Sequence, residues 1–155
     1  MKLRSDKTLR PMRADMDGFT VRSARARDFS FWRRTLGSSR LEFAGKMVSG
    51  SAFVIMRGEE YAGLVYHTLL WDSIPLLNMV FVRRSFRGQG AGAFAVDFWE
   101  KLMRMRGHSA VLVCVPSDMK HQHFFRSRGY TDCGSLSLKK NGEAMPADLM
   151  LVKYL

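Results

Sequence analysis

Three glycines in the stretch Arg87-Gly88-Gln89-Gly90-Ala91-Gly92 separate an apolar run, Leu76 to Arg83, from a helix-like run that begins near Gly92. A glycine-rich turn between a strand and a helix leaves backbone N–H groups unpaired at the positive end of the helix dipole, which suits an anion such as a phosphate. Glycine lets the backbone approach that anion closely and take up φ > 0. Arg83, Arg84 and Arg87 stand in the same stretch. On the strands before the glycines, His67 and Asn78 are the polar side chains that could take part in chemistry. Leu76, Asn78, Val80 and Val82 share one strand face by the period of two, so Asn78 could hold a water there but could not take a proton. His67 titrates near neutrality, although a partly buried strand histidine with a local partner is the plainer reading of it.

Other chemistries fit less well. His121-x-His123 lies near Cys114, but residues i and i+2 point apart on a helix and no further ligands follow at the usual spacing, so no metal is expected. The glycine run lacks GxxxxGK[ST] and is not a nucleotide P-loop. Gly90-x-Gly92-x-x-Ala95 does match GxGxx[GA], with Asp118 after the next strand as a ribose-binding acid. That fingerprint opens a series of βαβ units, whereas only about 60 residues follow here and they look mostly antiparallel.

The elements that would position these residues read off the punctuation of the chain. "GFTVRSA" is a short strand, and "RDFSFWRRTLGS" a helix with Asp28 as N-cap and Gly37 as its end. "RLEFAGKMVSG" is a weaker helix. "SAFVIMRGEEYAGLVYHTLLWD" is a hairpin about Arg57-Gly58-Glu59-Glu60, and Leu76 to Arg83 is a further strand. The helix after the glycines, about Gly92 to Arg106, puts Phe94, Phe98, Leu102 and Met105 on one face and stops at Gly107. "SAVLVCV" has the pattern of a strand buried on both faces, with Cys114 a small core residue and Pro116 at its end. Ser117 or Asp118 caps a short helix that Gly129 closes; "YTDCGSLSL" and "DLMLVKYL" are the last strands. Phe29, Phe31 and Trp32 belong mainly to the core.

The bulk numbers bound the partners. The 155 residues are 46% hydrophobic and 25% charged, enough for one folded domain with a real core. No apolar run approaches the ~20 residues that span a bilayer, and the basic start lacks the apolar centre of a signal peptide. With two cysteines and no CxxC, a reducing, cytoplasmic setting is the default. The net charge is +11, and residues 1–40 hold eleven Lys and Arg against four acids. Such a balance draws anions: a phosphorylated cofactor, RNA or an acidic protein surface. Residues 1–17, broken by Pro11, read as a loose basic arm.

In this order of parts the chain resembles the GNAT acetyltransferase family. Its signature [RQ]xxGx[GA] is met by Arg87 to Gly92; Val80-Phe81-Val82 is similar to the strand end that precedes it, and "HFFRSRGY" to the closing "xxFYxxxGF". The resemblance implies an α/β (α+β mixed) fold, the GNAT acyl-CoA N-acyltransferase fold, with a mixed, mostly antiparallel sheet flanked by helices and a single domain over residues 1–155. It implies acetyl-CoA as co-substrate, its pyrophosphate held by the backbone of Arg87, Gly88, Gln89, Gly90, Ala91 and Gly92, and its pantetheine arm paired with the main chain of Val80 and Val82 on either side of Phe81. It implies direct acetyl transfer to an amine: a protein N-terminus or lysine, an aminoacyl-tRNA or a small molecule. A catalytically weak acyl-CoA-binding or sensor module is the alternative. Anionic partners such as tRNA or a ribosomal partner suit the charge; no membrane is expected, and the chain is a monomer or a homodimer.

Two positions depart from the family. The tyrosine that usually protonates the leaving thiolate is Phe125 here, with Ser127, Tyr130, His121 and His123 as nearby alternatives. The asparagine often found on the pantetheine is Asp118, which accepts but does not donate when ionised. For the remaining catalytic roles the candidates are Asn78, His67 and Tyr130.

Overall fold

Glycines and local hydrogen bonds set where the elements begin and end in the computed structural model, which describes residues 18–155. The chain runs β1 (Phe19–Ser23), α1 (Phe29–Leu36), α2 (Arg40–Val48), β2 (Ala52–Arg57), β3 (Glu60–Leu70), β4 (Ile74–Val82), α3 (Ala91–Met105), β5 (Ala110–Pro116), α4 (His121–Arg126), β6 (Thr131–Leu136), β7 (Lys139–Lys140), β8 (Glu143–Ala144) and β9 (Asp148–Tyr154). Seven strands form one sheet in the order β1-β2-β3-β4-β5-β9-β6, and β7 and β8 make a separate small hairpin. The fold is the mixed, mostly antiparallel sheet flanked by helices that the sequence implies. The β4–β5 pairing is parallel and short: Leu76 with Leu112 and Leu77 with Val113. The basic arm, residues 1–17, lies outside the described residues.

The residues group into two compact units. Among the described residues, the first takes residues 18–65 together with Val80–Phe98. Here β1 and β2 pair antiparallel from Phe19–Arg57 to Ser23–Phe53. Trp32, Phe43 and Phe29 cluster under the helices, Trp32 and Phe43 with ring centroids 5.3 Å apart. The amphipathic pattern that marked α1 is thus satisfied by aromatic burial, and Gly37 at φ +69 ends it. Helix α2 begins with a capping box: Glu42 N–H donates to Ser39 Oγ, and Ser39 N–H donates to a Glu42 carboxylate oxygen.

Asp28 departs from its expected role. It stands at the start of α1 but makes no side-chain cap bond. Its carboxylate is fully buried and accepts from Arg22 at 2.7 and 2.9 Å, from the Tyr61 hydroxyl at 2.6 Å and from the Arg25 N–H at 2.7 Å. Those donors outweigh the desolvation that opposes ionisation, and its pKa lies below the usual carboxylate value.

The second unit takes Tyr66–Met79 with Trp99–Leu155. β9 pairs antiparallel with both β5 and β6, and β6 carries an irregularity between Asp132 and Gly134. Trp99, Met103, Val111, Val113 and Leu151 are buried. Three expectations change here. Met105 is 63% exposed, so the buried face of α3 runs through Trp99, Leu102 and Met103 instead. Cys114 is exposed, so β5 is covered less completely than its apolar sequence implied. Helix α4 starts at His121 with Lys120 before it, and neither Ser117 nor Asp118 caps it. The turn Asn141-Gly142, with φ of +52 and +84, joins β7 to β8.

Candidate active site

The glycine loop belongs to the first unit. After β4 the chain makes one 3-10 turn, Arg84–Phe86, whose Phe86 is buried edge-on against Phe19 at 6.1 Å. That anchor fixes where the loop leaves the core. Gly88 and Gly90 then take φ of +73 and +83, the left-handed region where a side chain is strained. Gly92 needs no such freedom: an added Cβ would meet only Val82 Cγ2 at 3.7 Å. Of the three glycines, two shape the turn, and at the third a Cβ would make only an ordinary contact with β4.

The loop presents a positive surface. Arg83 to Gly90 are exposed except Phe86. The first turn of α3 holds no acid, and its first intrahelical bond is Phe94 N–H to Gly90 O at 2.9 Å. The N–H groups of Ala91 and the residues beside it therefore lie before the helical ladder, at the positive end of the dipole. Arg87 Nε donates to Val82 O at 2.8 Å, Gln89 Nε2 donates to Ser85 O at 3.2 Å, and Arg57 donates to Gln89 Oε1. Arg83 donates to Tyr61 O at 2.9 Å. These bonds stiffen the loop while leaving its backbone open: a Cβ at Gly88 would have no heavy atom within 4 Å. An anionic group fits the backbone and charge of this cradle.

The remaining sequence candidates divide by unit. Val80, Phe81 and Val82 are half-buried on the part of β4 that belongs to the first unit. Asn78, on the same strand in the second unit, is exposed, one residue past the last β5-paired position, Leu77. Asp118 is exposed in the turn before α4. His67 is 3% exposed with its ring 5.8 Å from that of Trp99. Burial, and then repulsion from Arg106 and His108, lowers its pKa to about 4, so at neutral pH it is the uncharged imidazole and accepts a proton poorly.

Tyr130 is buried and donates to Glu100 Oε1 at 2.9 Å, while Lys153 Nζ donates to Glu100 Oε2 at 2.6 Å. Burial and the Glu100 charge raise the phenol well above its ordinary value. Phe125, also buried, packs edge-on to Tyr130 with centroids 5.3 Å apart. The Ser127 hydroxyl donates to Phe124 O at 2.8 Å. The geometry therefore gathers buried Phe125, Tyr130 and Glu100 with half-buried Lys153 into one cluster and leaves Asn78, Asp118, His121 and His123 on the surface. Sequence reasoning misses the burial of the carboxylates Asp28 and Glu100, because Tyr61 for the first and Tyr130 and Lys153 for the second are too distant in the chain to read as a motif. Among the described residues, no group of three or more His, Cys, Asp or Glu is placed to hold a metal ion, and no helix is long and apolar enough to cross a membrane.

Residues 19–130 match the family model "Acetyltransferase (GNAT) family". The chain belongs to the GNAT acetyltransferase family. Its fold is also that of solved members. A GNAT family acetyltransferase from Elizabethkingia anophelis with acetyl-CoA bound has 13% identity and a TM-score of 0.70, over 90% of this chain and 100% of that one. Arabidopsis thaliana Naa50, in complex with the bisubstrate analogue CoA-Ac-MVNAL, has 10% identity and a TM-score of 0.72, over 88% and 98%. The ribosomal-protein-S18-alanine N-acetyltransferase from Escherichia coli has 14% identity and a TM-score of 0.71, over 88% and 93%. No curated protein matches the chain.

Proposed function

We propose that the chain is a single-domain N-acetyltransferase that binds acetyl-CoA at the loop Arg87–Gly92 and passes the acetyl group directly to an amine. The observation that carries this is the loop itself: two left-handed glycines, exposed arginines and an acid-free first helical turn. The backbone of Arg87 to Gly92 holds the pyrophosphate, and the main chain of Val80 and Val82 lies beside the pantetheine.

The acceptor we favour is an α-amino group. Transfer requires a neutral amine, and the candidates for a base are weak: His67 is buried with a pKa of about 4, and Glu100 is held by Lys153 and Tyr130. With ordinary pKa values of about 7.8 for an α-amine and about 10.4 for a lysine, about a third of the first but only ~0.1% of the second is neutral at a pH of about 7.5. An acceptor that brings its own neutral amine needs no base from the protein. The leaving thiol, with a pKa near ~8.5, departs tolerably without an acid, which agrees with Phe125 where the family has tyrosine. Exposed Arg25, Arg27, Arg33, Arg34 and Arg40 in the first unit favour an acceptor with acidic groups near its amine.

A second reading has its own observation. Phe125 has no proton, and the Tyr130 hydroxyl is committed to Glu100, which also fits a protein that binds acyl-CoA without turning it over. Thiol release, followed with a chromogenic disulfide while peptides with free or blocked N-termini are added, separates the two. Release that depends on a free α-amine supports the enzyme. Cofactor binding with no release on any amine supports the sensor.

A further inference from the structure

One glycine outside the loop is explained by space rather than by backbone angle. Gly63 lies inside β3, three residues from its start, where glycine weakens a strand unless another backbone comes close. A Cβ built on Gly63 would lie 2.0 Å from the carbonyl oxygen of Phe81 and 3.1 Å from its carbonyl carbon. It would also lie 3.1 Å from Ile55 Cδ1. The φ of Gly63 is not in the left-handed region, so an L side chain is excluded by the β4 main chain and not by strain.

The direction of that carbonyl has a consequence on the other side of β4. Phe81 C=O and Val82 N–H belong to one planar peptide, so fixing the first fixes the second. The next peptide along, Val82 C=O with Arg83 N–H, is held at both ends: Arg83 N–H donates to Ala62 O at 2.8 Å, and Arg87 Nε donates to Val82 O at 2.8 Å.

We propose that Gly63 is a positioning residue for the cofactor. By leaving room for the Phe81 carbonyl, it sets the orientation of the Val80–Val82 main chain that meets the pantetheine arm. The inference rests on the acetyl-CoA reading above and adds to it a residue that touches no ligand.

The test uses two ligands that share the nucleotide but differ in the arm. Acetyl-CoA carries pantetheine; 3′-phospho-ADP keeps the pyrophosphate and lacks it. Calorimetric Kd values are measured for the wild type, Gly63→Ala, Gly63→Ala with Ile55→Val, and Gly134→Ala as a strand-glycine control whose Cβ meets only Met150 Sδ at 3.9 Å. Gly63→Ala is expected to weaken acetyl-CoA tenfold or more and 3′-phospho-ADP less than twofold, and Ile55→Val is expected not to restore it. Equal weakening of both ligands, no weakening of either, or recovery with Ile55→Val would overturn the proposal. So would a Gly63→Ala chain that fails to fold in both backgrounds while Gly134→Ala folds, since the glycine would then serve the sheet alone. Wild-type protein that binds neither ligand would instead sink the acetyl-CoA reading, before any variant is compared.

Discussion

The loop Arg87–Gly92 and the cluster Glu100–Tyr130–Lys153 both concentrate charge, and they treat it in opposite ways. In the loop the positive ends of backbone dipoles and several arginines face water, with no acid in the first turn of α3 to neutralise them. In the cluster a carboxylate 7% exposed is met on both oxygens, by a phenol at 2.9 Å and an ammonium at 2.6 Å. Exposed, unsatisfied donors cost the fold little and are available to a ligand. Buried, satisfied groups hold elements together and lose heavily when one partner goes. The contrast separates residues that bind from residues that brace, and it puts Tyr130 with the second kind.

If the cluster braces the fold, Lys153→Met leaves Glu100 buried without its cation. It should cost about 2–4 kcal/mol, read by urea unfolding, while acetyl-CoA affinity changes less than twofold. A loss of cofactor affinity without a loss of stability would erase the distinction. The same logic gives a pH effect from His67. Its folded pKa, about 4, is below the unfolded value near 6.5, so the unfolded chain takes up the proton first. That contribution is complete above pH 6.5 and is lost as pH falls toward 4, at most roughly 3 kcal/mol. In His67→Leu the decline in stability between pH 6.5 and 4 should flatten; an unchanged slope would contradict the burial argument.

The loop should respond to charge first, with a smaller part from the bond of Arg87 Nε to Val82 O. Arg87→Glu is expected to weaken acetyl-CoA by about tenfold at low ionic strength and by less at about 0.5 M salt, with stability within about 0.5 kcal/mol of wild type. The smallest effect sharpens the comparison most. Tyr130→Phe should cost about 1–2 kcal/mol of stability and change kcat less than threefold. A general acid would lose about 10²-fold or more, so a fall of that size would move Tyr130 to the catalytic side.

Local physics is legible in the chain. Gly37, Gly107 and Gly129 end α1, α3 and α4 with φ of +69, +91 and +89, because only glycine does so without strain. The loop can be read because its glycines, the strand before it and the helix after it are contiguous. What stays hidden depends on partners far along the chain. Asp28 has the composition of a cap, but Tyr61, 33 residues on, and Arg22 draw it inward. Glu100 looks like a solvated helix residue until Tyr130 and Lys153, 30 and 53 residues later, are brought to it. Met105 fits the apolar face of α3 by spacing, yet it is the last residue of the helix and is exposed. Asn141-Gly142 is a strong short hairpin signal, but the strands it joins are two residues each and carry no pattern of their own. Gly63 has a signal too, a glycine inside a strand pattern, although only the structure shows that Phe81 O occupies the space of its missing side chain.

The central claim is that the exposed loop is a cradle for the phosphates of acetyl-CoA. A thermal-shift titration of the whole chain with acetyl-CoA, with NAD as control and Arg87→Glu alongside, tests it most directly. At about 100 times Kd one site adds ~2.7 kcal/mol, which raises the melting temperature of a chain this size by about 5–11 °C. The account predicts that rise with acetyl-CoA, a clear reduction in Arg87→Glu, and none with NAD. A wild-type protein that does not respond to acetyl-CoA, or responds equally to NAD, would contradict it.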